Sequence, residues 1–143
     1  MIEPKPDNQQ ERPEIVGWIV GFVDGEGCFS VSLIRNSTTS LGWQLFPEFV
    51  VTQGEKSREA LELIKEHLQC GSIYLNRRND NHKESLLRYC VRSADDLRKK
   101  IIPFFTQYPL RTAKQQDFEK FVAILQLMEG NRHKTLDGLQ QAA

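Results

Sequence analysis

The sequence lacks long hydrophobic runs, has few cysteines and carries no excess of charge of either sign. No segment approaches the roughly 20 consecutive apolar residues needed to cross a bilayer, so no membrane partner is expected. The start, from Met1 to Asp7, is polar and proline-rich, which is not the pattern of a secretory signal peptide. A composition of 39% apolar and 27% charged residues is ordinary for a soluble globular protein.

The scarcity of cysteine excludes two kinds of small scaffold. Cys28, Cys70 and Cys90 are widely spaced and form no CxxC pair. This pattern argues against both a disulfide framework and a zinc site. We therefore expect a reducing compartment, in which these residues act as small, partly buried hydrophobic side chains.

The charge balance counts against a general polyanion binder, because 19 basic and 19 acidic residues cancel. The distribution is less even, since residues 72–100 contain eight basic and only four acidic residues. A local basic surface is one interpretation of this region. A solvated hairpin with ordinary surface charge is the simpler interpretation from composition alone.

The first predicted helix runs from about Gln10 to Asp24, with Pro13 in its first turn. Its body, Ile15–Val23, is apolar on almost every side, which predicts a buried helix. The glycines that follow are expected to end it.

Alternating apolar and polar residues predict four strands in two hairpins. The strands cover residues 29–35, 43–52, 72–77 and 86–92. Pro47 argues against regular pairing at its position in the second strand.

Three further helices are predicted from apolar spacing and capping residues. One covers residues 56–69 and ends at Gly71, and a last one covers residues 113–129 and closes at Gly130. Between them, Ser93 is an N-cap and Pro103 limits the helix that follows.

The resulting order predicts an α+β fold, αββαββα(α), with one four-stranded antiparallel sheet. The helices would cover one face of the sheet and leave the other face polar and open. Residues 12–130 are expected to form a single domain, between a flexible N-terminal arm (residues 1–11) and a C-terminal tail (residues 131–143).

The most informative segment joins the first helix to the first strand. Gly17 and Gly21 lie one helical turn apart, and small residues on one helix face allow a second helix to pack closely. The acidic turn Asp24-Gly25-Glu26-Gly27 follows, and a carboxylate there can bind a metal ion. These two features predict a metal-dependent active site at a contact between helices.

Ile19–Gly27 resembles the signature of the LAGLIDADG homing endonucleases. Gly21, Asp24 and Gly27 match it directly, and Glu26 takes the place of the metal-binding acid. The element order is also that of the family, whose sheet forms a DNA-binding saddle. Only one copy of the motif is present, which resembles the single-motif, homodimeric subfamily.

This resemblance implies a site-specific DNA endonuclease that serves intron mobility. It would break both strands of a long, pseudo-palindromic double-stranded DNA site by Mg²⁺-dependent phosphodiester hydrolysis. Mn²⁺ or Ca²⁺ would also occupy the metal site. An organelle (chloroplast or mitochondrion) and a bacterial or phage cytoplasm all fit such a protein.

The resemblance also implies roles for individual residues. Glu26 would bind the metal, with the backbone carbonyl of Gly25 as a further ligand, and Asp24 would be structural. Gln53 would position water, and Lys114 would stabilise charge. The implied dimer interface contains Gly17, Trp18, Gly21, Phe22 and Asp24.

The identity of the basic residue stays open. The family commonly carries a Lys-Lys pair near the start of the last long helix, and here Ala113 occupies one position of that pair. Lys56, Arg58 and Arg111 are therefore alternatives to Lys114.

Strand alternation predicts which residues face DNA. Arg88 suits guanine, whereas Asn76 or Gln44 suits adenine. Asn36–Ser40 would form a flexible tip over the outer bases. The full predicted set is Ser30, Ser32, Ile34, Asn36, Gln44, Tyr74, Asn76, Arg78, Arg88, Cys90 and Arg92.

Two other functions remain open from the sequence. One is an intron RNA maturase that uses the same fold to bind structured RNA. The other is a sequence-specific DNA-binding protein that has lost cleavage, although the presence of Glu26 argues against it.

Overall fold

The computed structural model describes residues 11–39, 41–77 and 84–130. The predicted C-terminal tail, residues 1–10 of the predicted arm and the turn at 79–81 lie outside this part of the chain. The elements are α1 (Glu11–Glu26), β1 (Gly27–Arg35), β2 (Trp43–Gly54), α2 (Arg58–Leu68), β3 (Ser72–Asn76), β4 (Leu86–Val91), α3 (Ala94–Asp96), α4 (Ile102–Gln107) and α5 (Lys114–Glu129). None of the described helices is long and apolar enough to cross a membrane.

The four strands form one antiparallel sheet in the order β1-β2-β4-β3, which confirms the predicted fold class. Gly27 pairs with Val51, Val51 with Tyr89, and Tyr89 with Ile73. Pro47 is tolerated within β2 because pairing with β4 begins only at Phe49. At Pro47, β2 therefore has β1 as its paired neighbour, as expected for proline in a sheet.

The core lies between the inner face of the sheet and the helices. Phe29 of β1 is its centre, because the ring contacts phenylalanines from three other elements. The ring centroids lie 5.0 to 5.5 Å from those of Phe49, Phe105, Phe118 and Phe121. Each buried phenylalanine contributes roughly 1.5–3 kcal/mol by leaving water. This cluster therefore fixes β1, and with it the end of α1, against α4 and α5.

Two predicted helix ends are wrong. Gly71 does not end α2, because the helix stops at Leu68 and Gln69 adopts the left-handed conformation (φ 59°). Pro103 does not end a helix either, since α3, a π-helical stretch at Leu97–Ile101 and α4 form one continuous helical segment. The wide turns just before Pro103 relieve the clash that its ring makes in a regular α-helix. The N-cap is confirmed, as the Ser93 hydroxyl accepts from the Asp96 amide at 3.3 Å.

Helix α1 is only partly buried, which corrects the prediction of a buried helix. Ile19 and Val23 are completely buried, whereas the side chain of Trp18 is 39% exposed. Gly17 and Gly21 are also exposed. One side of α1 packs on the core, and its other apolar side faces outward from the described chain.

Candidate active site and nucleic-acid interface

The predicted metal-binding residue lies at the junction of α1 and β1. The helix continues two residues beyond its predicted end, so that Glu26 is its last residue and its side chain is exposed. Gly27 makes this abrupt change to a strand possible. A Cβ atom at Gly27 would lie 2.7 Å from Val23 Cγ1 and 2.9 Å from the Val23 carbonyl oxygen.

Asp24 holds this junction against the start of α5. Its carboxylate accepts hydrogen bonds from the Arg111 amide (2.8 Å), the Thr112 amide (3.1 Å) and the Thr112 hydroxyl. Desolvation by burial raises the pKa of Asp24, but these hydrogen bonds and the Lys114 charge outweigh it and lower the pKa below 3.8. The carboxylate is thus engaged within its own chain.

The segment Arg111–Thr112, which is held by Asp24, brings Lys114 to the C-terminal end of α1. Lys114 Nζ donates a hydrogen bond to the Val23 carbonyl at 3.1 Å. A positive charge at this end also compensates the negative end of the helix dipole. Among the basic candidates, Lys114 has a direct contact with α1, and Arg111 is held beside it through its backbone amide.

The other candidates lie on β2 and α2. Gln53 is two residues beyond Val51, the partner of Gly27, so it lies on the neighbouring strand close to the level of Glu26. The Lys56 amide donates to Glu84 Oε1 at 2.6 Å, and the Lys56 side chain is exposed. Arg58 lines a groove of about 660 Å³ between α2 and β3, and Glu26 is not part of that groove.

The site has a donor set that suits a weakly chelated cation. Glu26 provides one exposed carboxylate, and Gly25 provides a carbonyl at a helix end, where carbonyl groups lack intrahelical partners. Within the described ranges, no three His, Cys, Asp or Glu side chains come together. Mg²⁺ commonly binds through one or two carboxylates, waters and phosphate oxygens, so these residues fit such an ion when further oxygen ligands come from elsewhere.

The exposed side of α1 carries a stripe of three glycines, here called the glycine stripe: Gly17, Gly21 and Gly25. Apart from the chain neighbours and the adjacent backbone of α1 itself, no described atom lies within 4 Å of a Cβ added at any of them. A groove of about 510 Å³ lies between two of these glycines, Gly17 and Gly21, and the segment at Tyr108–Arg111. Sequence reasoning identified Gly17 and Gly21 but assigned Gly25 to the end of the helix.

Two other predicted interface residues lie beside the glycine stripe. The rings of Trp18 and Phe22 contact each other with centroids 5.0 Å apart. Trp18 is exposed and Phe22 is half-buried. The described chain therefore presents an apolar ridge next to a stripe without side chains, which is suited to close packing by another helix.

The sheet surface away from the core, here called the outer face, brings together most of the predicted DNA-facing residues. The register pairs Ile34 with Gln44, and Tyr74 with Arg88. The predicted residues on this face are Ser30, Ser32, Ile34, Gln44, Tyr74, Asn76, Arg88, Cys90 and Arg92. Arg78 lies outside the described residues.

Asn36 organises the turn between β1 and β2. Its side-chain amide donates to Gln44 Oε1 at 2.8 Å, and its Oδ1 accepts from the Thr38 amide at 3.0 Å. Its backbone amide donates to the Gly42 carbonyl at 2.8 Å. The described part of the predicted flexible tip is therefore a hydrogen-bonded turn.

Cys90 lies on the outer face, but its side chain is buried there. It is only 3% exposed, and burial raises its pKa. Arg88 and Arg92 flank it on the same strand, and both contact Glu48 of β2. A direct contact of Cys90 with DNA stays a prediction, and its burial in the described chain does not favour it.

The LAGLIDADG endonuclease family profile matches residues 19–125, which include the α1–β1 junction and the whole sheet. The chain belongs to this family. Among curated relatives, the LAGLIDADG chain is 35% identical over 124 residues to probable intron-encoded endonuclease 2 of Neurospora crassa. That match covers 87% of the chain but 26% of the relative, so the chain spans about a quarter of that protein.

The matching solved structures include one chain of similar length and one that is about twice as long. The homing endonuclease I-TnaI matches with a TM-score of 0.78 and 36% identity, over 89% of this LAGLIDADG chain and 82% of its own. The meganuclease I-SmaMI, bound to uncleaveable DNA, matches with a TM-score of 0.80 and 29% identity, over 89% of this chain and 42% of its own.

Proposed function

We propose that this chain is a site-specific, divalent-cation-dependent DNA endonuclease that cuts both strands of double-stranded DNA. The observation that carries the proposal is the position of Glu26. Its exposed carboxylate lies at the end of the LAGLIDADG helix, directly before β1 of the sheet and three residues after Val23, whose carbonyl Lys114 contacts. Solved relatives include I-SmaMI bound to cleaved DNA, and to uncleaved DNA in the presence of calcium ions.

In this proposal, the active form contains two copies of the chain that meet at their glycine stripes. The stripe is open, and the adjoining ridge contains the exposed Trp18. A second copy would bring a second Glu26, and two nearby carboxylates favour bound cations between them. The comparable length of I-TnaI supports a second copy, whereas the longer relatives raise the alternative of a second domain in one longer chain.

Each proposed site residue has a separate task. Glu26 and the Gly25 carbonyl would hold a divalent cation, for which we propose Mg²⁺. When bound, such an ion activates water and stabilises charge on the transferred phosphoryl oxygens. Gln53 would orient water from the end of β2. Lys114 would place positive charge near the scissile phosphate.

We also propose that the protein acts in intron homing. The names of relatives in Neurospora crassa and Schizosaccharomyces pombe describe probable intron-encoded endonucleases. The outer face would supply the sequence specificity that such an activity requires, since its polar side chains can read base edges in a major groove. A genome of an organelle, a bacterium or a phage would be a suitable setting.

The test is incubation of the wild-type protein with Mg²⁺ and a randomised DNA library, followed by sequencing of the cut ends. We expect one enriched pseudo-palindromic site. The Glu26→Gln variant should bind this site but cut it at least about 100-fold more slowly, because even residues that only hydrogen-bond to metal ligands contribute roughly 10- to 100-fold. Glu119→Gln, at an exposed position of α5, is the matched control and should cut normally.

The outcomes separate the candidate functions. Normal cutting by Glu26→Gln contradicts the assigned metal site. A wild-type protein that selects a site from the same library by binding but yields no cut ends, in Mg²⁺ or Mn²⁺, is a DNA-binding protein and not an endonuclease.

A further inference from the structure

The outer face contains an acidic residue, Glu48, that is not in the predicted set of DNA-facing residues. Glu48 of β2 lies opposite Ser30 of β1 and reaches towards β4. Its carboxylate contacts Arg88 Nη2 at 3.4 Å and accepts a hydrogen bond from Arg92 Nε. The Glu48 side chain is only 14% exposed, whereas those of Arg88 and Arg92 are 37% and 44% exposed.

Glu48 holds the two arginines in place, and each arginine still has N–H donors that do not contact Glu48. Arg92 contacts Glu48 through Nε, and no hydrogen bond joins either of its two terminal nitrogens to Glu48 in the described structure. Its guanidinium also lies over the Tyr74 ring, 5.5 Å from the centroid. A guanidinium carries five N–H donors, and reading guanine through O6 and N7 requires two of them.

The two arginines use two of the roughly four lone-pair sites of the Glu48 carboxylate, so the carboxylate can accept a further hydrogen bond when a duplex arrives. Phosphate oxygens repel it, and in the major groove only the amino groups of cytosine and adenine donate hydrogen bonds. A guanine read by one of the arginines is paired with cytosine. The N4 amino group of that cytosine is therefore the matching donor for Glu48.

We propose that Glu48 is a specificity-determining residue that imposes a G·C base pair on each half of the target site. It holds Arg88 and Arg92 in position for guanine and accepts a hydrogen bond from the cytosine of that pair. This inference rests on the proposed function, because it requires DNA on the outer face. A purely structural role, in which Glu48 only covers Val50 and Cys90, makes no such demand on the DNA sequence.

The test is selection of bound DNA from a randomised library, with Ca²⁺ in place of Mg²⁺, for the wild type and Glu48→Gln. A glutamine keeps the size of the side chain but suits adenine. We expect one G·C position in each half-site to lose its preference by roughly tenfold or more, because a good base contact gives discrimination of that order. Asp95→Asn, an exposed acid on α3 that pairs with Lys99, removes the same charge away from the outer face and should keep the wild-type profile.

Arg92→Lys provides a second variant with an unchanged net charge. It removes the Nε–H donor that contacts Glu48 and the planar pair of donors suited to guanine, so preference at the same G·C position should be lost. Thermal unfolding of all variants establishes that each one is folded. An unchanged base profile in folded Glu48→Gln or in folded Arg92→Lys overturns the role of Glu48. If the wild type enriches no sequence, both the proposed site-specific action on DNA and the specificity role of Glu48 are contradicted.

Discussion

Asp24 and Glu26 differ in environment although they are two residues apart. Successive helical residues are rotated by about 100°, so side chains two positions apart point to nearly opposite sides of α1. Asp24 therefore reaches Arg111 and Thr112, and its carboxylate accepts three hydrogen bonds from them. Glu26 is exposed at the end of the helix, and no described residue donates a hydrogen bond to its carboxylate. One acid is thus a structural anchor, and the other has oxygen atoms left for a cation.

Replacement of Asp24 by Asn should destabilise the fold. The uncharged amide side chain of asparagine cannot accept the same set of charge-assisted hydrogen bonds from Arg111 and Thr112. The surroundings are partly exposed, which limits the size of the loss. We expect a loss of roughly 1–2 kcal/mol in the free energy of unfolding at pH 7. Urea denaturation provides the measurement, and Glu62→Gln at an exposed position of α2 should change little. Equal stability of wild type and Asp24→Asn would contradict the anchoring role.

The contribution of Asp24 should depend on pH in a defined direction. Its folded-state pKa is lowered from 3.8, so the folded state favours the ionised carboxylate. The stabilisation is therefore complete above the unfolded-state value and is lost as the pH falls through the folded-state pKa. Unfolding midpoints at pH 7 and pH 3 should show a smaller difference between wild type and Asp24→Asn at the lower pH. A difference that grows on acidification would contradict this assignment.

At the scale of elements, the junction of α1 and β1 fixes the position of Glu26. Gly27 permits the strand to start directly after the helix, because its missing side chain leaves room for Val23. Gly27→Ala would force Val23 or the backbone to move. We expect a loss of about 1–3 kcal/mol, as for other overpacked sites, measured by chemical denaturation at a fixed protein concentration.

Gly25→Ala is the matched control for the junction. Its added Cβ would meet no described atom within 4 Å, and alanine favours helix more than glycine does. At a protein concentration too low for two copies to meet at the glycine stripe, its stability should equal that of the wild type or exceed it by up to about 1 kcal/mol. If both variants lose stability equally, the tight fit at Gly27 is not what matters at this junction.

At the scale of the whole molecule, α1 presents an apolar side that the described chain does not cover. A bulky residue at Gly21 should leave the fold of one chain intact but prevent close helix packing. We expect Gly21→Leu to sediment as a monomer at concentrations at which the wild type forms a dimer. Ala123→Leu adds bulk at an exposed position of α5 and should remain dimeric.

The sedimentation experiment also tests the shared site. A wild type that stays monomeric, in the presence of its DNA site, would contradict assembly through the glycine stripe. A dimer that persists in Gly21→Leu would place the interface elsewhere. Either result would remove the argument that a second Glu26 completes the metal site.

Local patterns predicted the two hairpins and the main helices correctly, because strand alternation and helical spacing are properties of neighbouring residues. The helix ends at Gly71 and Pro103 were predicted wrongly. Gln69 accepts a strained conformation, while Gly71 is required by the Tyr89 ring, 2.6 Å from an added Cβ. Pro103 is tolerated because the preceding turn widens, and this adjustment has no signal in the sequence.

The functional residues also divide into those that local sequence patterns predict and those that only the folded chain brings together. The motif at Ile19–Gly27 and the alternation of β1 to β4 are local, so the sequence by itself determined the family, the sheet and the candidate acid Glu26. Only the tertiary structure decided that Lys114 meets the end of α1, that Cys90 is covered and that Glu48 holds Arg88 and Arg92. These contacts join residues that are between 40 and 91 positions apart. Such pairs are set by sheet register and helix packing, which depend on the whole core at once.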